Sequence, residues 1–176
     1  AAEPIWTGRF AGVAYLYGEP GIGKSHLMYE LRRALARRGP LVHLTGQTDQ
    51  VLRQALNPFV YFLKRYFHQS PGVPVEENKA RFTARLDALV QALEGLERPL
   101  AAAADPRALA AELVRTRSIL GALLGLHWPG SLYESLDGSL RYQNTLLALK
   151  SLLLAECCFR PVVLEVEDLP GIGLPW

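Results

Sequence analysis

The stretch LYGEPGIGKSHLMYEL, residues 16–31, decides what the sequence predicts for the rest of the chain. Turn-forming residues are followed there by a lysine, a serine and the start of a helical pattern. Gly18, Gly23, Lys24 and Ser25 match the pattern G-x-x-x-x-G-K-[ST], in which a loop and the following helix hold a phosphate group. The stretch therefore predicts a phosphate-binding loop, and the alternative is an ordinary turn between a strand and a helix.

The residue types in this loop suit phosphate for physical reasons. Gly21 and Gly23 can adopt backbone angles closed to other residues, so that successive N–H groups turn toward an anion. A helix that begins near Lys24 adds unpaired N–H groups and the positive end of its dipole. Lys24 can reach the β- and γ-phosphates, and the Ser25 hydroxyl can take one position on Mg²⁺. The predicted nucleotide-binding residues are Gly18, Glu19, Pro20, Gly21, Ile22, Gly23, Lys24, Ser25 and His26.

Apolar runs around the loop indicate an α/β fold. Residues 12–17 (GVAYLY) and 41–46 (LVHLTG) have the composition of buried strands, and residues 24–38 between them carry a helical stripe. This order predicts a right-handed crossover and a parallel sheet. Residues 161–166 (PVVLEV) predict a third strand. We therefore expect a P-loop NTPase-type parallel sheet with a large helical insertion between the second and third predicted strands.

The predicted insertion covers residues 48–160 and is mostly helical. Asn57-Pro58 and Asp105-Pro106 have the form of an N-cap followed by the first helical residue. A long helix is expected from about residue 140 to residue 158. On this basis residues 1–176 form a single P-loop nucleotide-binding domain fragment. A further amphipathic helix is indicated by the apolar stripe Phe82, Leu86, Leu89 and Leu93.

The third predicted strand ends in acidic residues that could act on a bound nucleotide. Phosphoryl transfer of this kind requires carboxylates near the metal, at the end of a neighbouring strand. Strand alternation puts Glu165 and Glu167 on one face and Asp168 on the other. We predict Glu167 and Asp168 as catalytic residues, and Ser25, Glu167 and Asp168 as metal ligands. The alternative is a solvated acidic strand end with no role in chemistry.

Composition and charge give no support for nucleic acid or a membrane as a partner. Formal net charge is +2 in 176 residues, which gives no case for nucleic acid or for an anionic membrane surface. No apolar run reaches the ~18 residues of a membrane span. Arg32, Arg33, Arg37 and Arg38 are interpreted as cations favoured near a helix C-terminus, and the alternative is a nucleic-acid-binding patch. The adjacent Cys157 and Cys158 are expected to be reduced, buried or half-buried thiols of a cytoplasmic protein.

Two segments resemble one family of ATPases. YLYGEPGIGKSHLMYELRRAL is similar to the first motif (Walker A) of the STAND branch of the AAA+ class, and in particular of the ATPase domains found beside adenylate cyclase and transcription-regulator modules. GSLRYQNTLLALKSLLLAECCFRPVVLEVEDL resembles the helix and strand that lead into the second motif (Walker B). The resemblance implies ATP and Mg²⁺ as cofactors, and other domains or subunits of a larger regulatory protein as partners.

The sequence departs from the family after Leu169. The family usually continues with HW and further strands, whereas this chain has PGIGLPW. We therefore expect a fragment without the C-terminal strands, the lid and an arginine finger, in which ATP binding is better preserved than hydrolysis. A weak ATPase and a nucleotide-gated switch without turnover both remain open. A small-molecule kinase is disfavoured, because the arginines of the insertion have the spacing of exposed helix faces: Arg81, Arg85, Arg107, Arg115 and Arg117.

Overall fold

The structure is a computed structural model, and it describes residues 3–47, 56–101 and 104–167. A 3₁₀ turn, Glu3–Thr7, precedes the regular elements. In chain order these are α1 (Lys24–Ala36), β1 (Val42–Gln47), α2 (Asn57–Tyr66), α3 (Val75–Glu94), α4 (Pro106–Arg115), α5 (Arg117–Leu123), α6 (Leu132–Ser135), α7 (Gly138–Cys157) and β2 (Val162–Glu167).

The two strands pair in parallel, as the sequence predicts for the second and third apolar runs. The register runs from Val42 opposite Val162 to Gln47 opposite Glu167. Helices α2 to α7 lie between the two strands in the chain. The α/β class, the parallel sheet and the large helical insertion are therefore confirmed.

The strand predicted for residues 12–17 is wrong, since this segment is outside the sheet. Its large side chains face solvent, and Tyr15 is 68% exposed. Aromatic and β-branched residues favour a strand only when a neighbouring strand and a buried face are available. Within the described ranges, the sheet consists of β1 and β2, and neither strand pairs with residues 12–17.

Because residues 12–17 do not form a strand, the environment of α1 also differs from the prediction. The sequence predicts a buried apolar stripe at Leu27, Leu31, Ala34 and Leu35, but among these only Leu35 is buried. Leu27 is 56% exposed. The apolar face near the start of α1 is exposed because residues 12–17 do not form a sheet beneath it, whereas its C-terminal half lies close to β1 and β2.

The main core lies in the helical part and follows the predicted stripe of α3. Phe82, Leu86 and Leu93 are fully buried, and Leu89 is nearly so. The ring of Phe82 lies 4.6 Å from that of Phe67 at the end of α2, measured between centroids. These contacts join α2 and α3, and Leu44 of β1 belongs to the same cluster.

The predicted helix caps are confirmed at one site and shifted at the other. Asp105 caps α4, because its Oδ1 accepts hydrogen bonds from the backbone N–H groups of Arg107 and Ala108, at 3.0 and 3.3 Å. Asn57, in contrast, is the first residue of α2, and the preceding Leu56 occupies the cap position. The helix start is thus one residue earlier than the Asn-Pro signal indicates.

A buried carboxylate ties three helices together. Glu156 of α7 is 2% exposed and accepts a hydrogen bond from the Tyr66 hydroxyl of α2. The Arg85 guanidinium of α3 lies 3.5 Å from Glu156 Oε1 and 4.7 Å from the centroid of the Tyr66 ring. Arg160 lies 3.4 Å from Oε2. Burial, followed by the charge of Glu156, raises the pKa of Tyr66 well above its usual range.

No helix in the part of the chain that the structure describes is long and apolar enough to cross a membrane.

Both cysteines have the environment that the sequence predicts, and this determines their reactivity. Cys158 is buried and Cys157 is half-buried, and both are free thiols. Burial raises the pKa of each thiol, and the Glu156 carboxylate adds to this effect at Cys157. The reactive species is the thiolate, and a raised pKa means less thiolate at a given pH.

We therefore expect iodoacetamide to modify the cysteines of the folded protein at pH 8 several-fold more slowly than in urea, since a raised pKa leaves less of the reactive thiolate and burial restricts access to it. Mass spectrometry of samples quenched at successive times gives the rates. Equal rates in the folded and the unfolded protein would contradict this account of the two thiols.

Candidate functional site

The loop of residues 18–23 leads directly into α1. Gly21 and Gly23 have φ angles of +83° and +98°, in the left-handed region that favours glycine. A Cβ atom built on either residue would meet nothing within 4 Å, so the space beside both is open. The loop therefore has the backbone shape that its glycines predict, with room beside it for a ligand.

The N-terminus of α1 has no side-chain cap. Gly23 occupies the cap position, and the first helical backbone bond runs from Leu27 N–H to the Gly23 carbonyl at 3.0 Å. The N–H groups of Lys24, Ser25 and His26 precede that bond, as in any first helical turn. Unpaired N–H groups at a helix start, together with the dipole, favour an anion.

Lys24 folds back over this loop. Its Nζ donates hydrogen bonds to the carbonyl oxygens of Gly18 and Glu19, both at 2.7 Å. The ammonium group is therefore held at the loop, within its own local segment. A cation at the loop and N–H groups from the helix start form a donor set that fits a phosphate group.

The other predicted nucleotide-binding residues are exposed. Glu19, Pro20 and Ile22 belong to the loop, and Ser25 and His26 lie in the first turn of α1. All of them are accessible to a ligand in solution.

At the end of β2, an arginine joins two acidic side chains. Arg32 of α1 binds Glu165 through two contacts, Nε to Oε2 at 2.9 Å and Nη2 to Oε1 at 2.5 Å. Its Nη2 also donates to Glu167 Oε1 at 2.7 Å. A single guanidinium contacts both carboxylates, so Glu165 and Glu167 share a face of β2, as strand alternation predicts.

His43 supports this group from the neighbouring strand. Its Nε2 lies 2.8 Å from Glu165 Oε2. Burial, the largest influence, lowers the pKa of His43 although the charge of Glu165 opposes the shift. The ring is therefore neutral at pH 7, with Nε2–H as the donor. We call Arg32, His43, Glu165 and Glu167 the α1–β2 ion cluster.

Glu165 remains ionised in this cluster although it is only 7% exposed. Burial is the largest influence and by itself would raise the pKa of Glu165. The hydrogen bonds and the charge of Arg32 outweigh it, so that the pKa lies below its ordinary range. Breaking a pair between a buried carboxylate and a bidentate arginine is destabilising, because the loss of either partner leaves a buried charge unpaired.

The cluster connects the loop helix to the acidic strand end. Ser25 and Arg32 are seven residues apart on α1, which puts them on one face of the helix and about 10 Å apart along its axis. Asp168, the second predicted acidic residue, lies outside the described residues. The structure thus brings the helix that begins at the loop into contact with Glu167.

The role of Arg32 is the main feature that the sequence interpretation missed. The arginines of residues 32–38 are interpreted there as cations at a helix C-terminus, but Arg32 is an ion-pair partner of β2, and Arg38 pairs with Glu3 at 2.6 Å. The available signal was Glu165, an acidic residue inside an apolar strand, which requires a counter-ion when buried.

A surface cavity of about 420 Å³ lies beside the cluster, at the end of α1 opposite the loop. It is lined by Arg32, His43 and the apolar residues of the α1–β1 connection: Leu35, Ala36, Gly39, Pro40 and Leu41.

Among the described residues there is no group of three or more His, Cys, Asp or Glu side chains that could hold a metal ion without help. A Mg²⁺ ion at a phosphate loop needs few protein ligands, because phosphate oxygens and water molecules supply the rest.

A parallel α/β fold with a glycine loop at the start of a helix is typical of P-loop nucleotide-binding proteins. The model of the AAA ATPase domain family matches residues 1–170, and the chain belongs to this family. No curated protein and no solved structure gave a match. Nucleotide binding and an ATPase-type function are the properties of this class of domain.

Proposed function

We propose that this domain binds Mg-ATP at residues 18–26 and hydrolyses it slowly. The observation that carries the proposal is the loop itself, in which the Lys24 ammonium lies 2.7 Å from two loop carbonyl oxygens, next to an uncapped helix N-terminus. These groups form a site for the phosphates of a nucleotide, and the family supports ATP as that nucleotide.

The individual roles follow from the chemistry of the side chains. Lys24 leaves the loop carbonyls and binds the β- and γ-phosphates, while backbone N–H groups bind the remaining oxygens. Ser25, Glu167 and Asp168 would hold Mg²⁺ directly or through water, and the bound ion would supply positive charge to the phosphates. One carboxylate of the pair Glu167 and Asp168 orients the attacking water.

Slow turnover is proposed because the carboxylate of Glu167 is engaged by Arg32 at 2.7 Å. Hydrolysis requires a metal and an in-line water at the strand end. It also requires a positive charge on the transition state, and an arginine supplied in trans contributes about 10³–10⁵ in rate in GTPases. A nucleotide-gated switch without turnover is the second candidate, and the same Arg32–Glu167 contact favours it.

The setting of the domain is part of the proposal. We place it in the STAND branch, in a cytoplasmic signalling protein whose other domains or subunits respond to the bound nucleotide. The kinase alternative is further weakened, because several insertion arginines are engaged by carboxylates of the helices: Arg81 by Glu77, Arg85 by Glu156, Arg115 by Glu112 and Arg117 by Asp87.

The test measures ATP binding and phosphate release on one sample. We expect titration calorimetry to detect ATP binding that strengthens with Mg²⁺, and a phosphate assay to detect little release, with little change in Asp168→Asn. Absence of ATP binding would refute the proposal. Robust release that collapses in both Glu167→Gln and Asp168→Asn would show that the domain is a complete catalyst and would overturn slow turnover.

A further inference from the structure

We infer that Arg32 is a positioning residue that competes with a divalent metal ion for the carboxylate of Glu167. The inference rests on the proposed function, in which Glu167 is a metal ligand. It adds that a residue of α1 regulates how tightly Glu167 binds the metal. Its basis is the shared Nη2 of Arg32, which lies 2.5 Å from Glu165 and 2.7 Å from Glu167.

The anchoring of Arg32 is what makes this competition specific. The bidentate contact with Glu165 sets the plane of the guanidinium, and His43 holds the second oxygen of Glu165 from β1. Glu165 is buried, whereas the side chain of Glu167 is 35% exposed. Arg32 is thus fixed to the inner carboxylate and reaches the outer one, the side chain that a metal ion can approach from solvent.

Competition follows from the charges. A carboxylate oxygen that accepts from a guanidinium is a weaker ligand for a cation, and the positive charge of Arg32 repels a metal beside it. Glu165 strengthens metal binding at Glu167, because it adds negative charge nearby and takes part of the Arg32 guanidinium away from Glu167. Binding of a metal at Glu167 therefore requires Arg32 to withdraw to Glu165 alone.

Competition at Glu167 also affects the phosphate-binding loop, because both are connected through α1. Arg32 lies on the helix that begins at the phosphate-binding loop, so a metal at Glu167 and a nucleotide at the loop both act on α1. Withdrawal of Arg32 from Glu167 upon metal binding supplies a direct link between the occupied site and the position of this helix relative to β2.

The variants have expected effects of opposite sign. Arg32→Gln removes the competitor, and we expect Mn²⁺ to bind about three- to tenfold more tightly than in the wild type, as for a partly exposed ion pair. Glu165→Gln leaves Glu167 as the remaining acidic partner of Arg32 in the cluster, and Mn²⁺ should bind more weakly by a similar factor. Arg32→Lys keeps the charge but loses the bidentate contact with Glu165, and its Mn²⁺ affinity should lie between those of the wild type and Arg32→Gln.

A double variant distinguishes the proposed competition from a folding defect caused by an unpaired Glu165 carboxylate. Arg32→Gln with Glu165→Gln leaves no buried carboxylate without a counter-ion and does not change the net charge of the cluster. It should still bind Mn²⁺ more tightly than the wild type, because the hydrogen-bond competition for Glu167 is gone. Arg33→Gln is the matched control, since Arg33 lies next to Arg32 and pairs with Glu30 of its own helix.

The experiment uses Mn²⁺ alone, and free Mn²⁺ is measured by electron paramagnetic resonance on the whole chain, with circular dichroism as the check of folding. A second series measures the Mg²⁺ dependence of ATP affinity. Wild-type Mn²⁺ affinity in folded Arg32→Gln and in the double variant would overturn the inference. The expected Mn²⁺ pattern without any ATP binding would count against the proposed function and would leave the role of Arg32 supported.

Discussion

Replacement of Lys24 by alanine is expected to lower ATP affinity by one to two decades. The loop backbone would still offer N–H groups, but the cation that now lies 2.7 Å from the Gly18 and Glu19 carbonyls would be lost. Charge-assisted hydrogen bonds contribute roughly 1.5–3 kcal/mol each, and 1.4 kcal/mol corresponds to about one decade in affinity.

Titration of the folded variant with Mg-ATP measures this effect. Lys150→Ala is a suitable control, because Lys150 is an exposed lysine of α7, outside the loop and α1, and its loss should leave the affinity unchanged. Stability should change little in Lys24→Ala, since the hydrogen bonds of this side chain to the described residues go to two carbonyl oxygens of its own loop. Wild-type ATP affinity in folded Lys24→Ala would refute the assignment of residues 18–25 as a phosphate-binding loop.

Replacement of Phe82 by alanine is expected to destabilise the protein by about 3–5 kcal/mol, the usual cost of deleting a buried aromatic ring. Phe82 is fully buried, and its ring lies 4.6 Å from that of Phe67 and 5.8 Å from that of Trp128. The cavity would therefore open between α2, α3 and the segment after α5. Because whole domains have only about 5–15 kcal/mol of stability, the variant should be close to unfolding at 37 °C.

Urea denaturation followed by circular dichroism measures the free energy of unfolding. Val75→Ala is the matched control, since Val75 lies on the same helix and is 56% exposed, and it should change that free energy by less than about 0.5 kcal/mol. A loss below about 1 kcal/mol in Phe82→Ala would mean that the cluster around α3 is not the main core.

The helical part shows how far local patterns reach. The stripe of Phe82, Leu86, Leu89 and Leu93 predicts the buried face of α3, and the Asp105-Pro106 pair predicts the start of α4. Periodicity and capping depend on residues within one or two turns of each other, so one sequence contains the information. The shift of one residue at Asn57 shows that the boundary is less certain than the element.

Residues 12–17 show where local patterns fail. Their composition is typical of a strand, yet they lie outside the sheet and are exposed. A strand is completed by hydrogen bonds to another strand, and the partner cannot be read from the segment itself. The exposure of Leu27 follows from the same difference, because a helix buries its apolar face only where a surface is available.

The sequence by itself determined the glycine loop, the helix that follows it, the helical insertion and the common face of Glu165 and Glu167, because each depends on residues close together in the chain. Only the tertiary structure decided that Arg32 pairs with those carboxylates and that residues 12–17 stay outside the sheet. Arg32 and Glu165 are 133 positions apart, and their contact exists because folding brings α1 against β2. A buried carboxylate needs a counter-ion, but which of several arginines supplies it depends on the packing of distant elements.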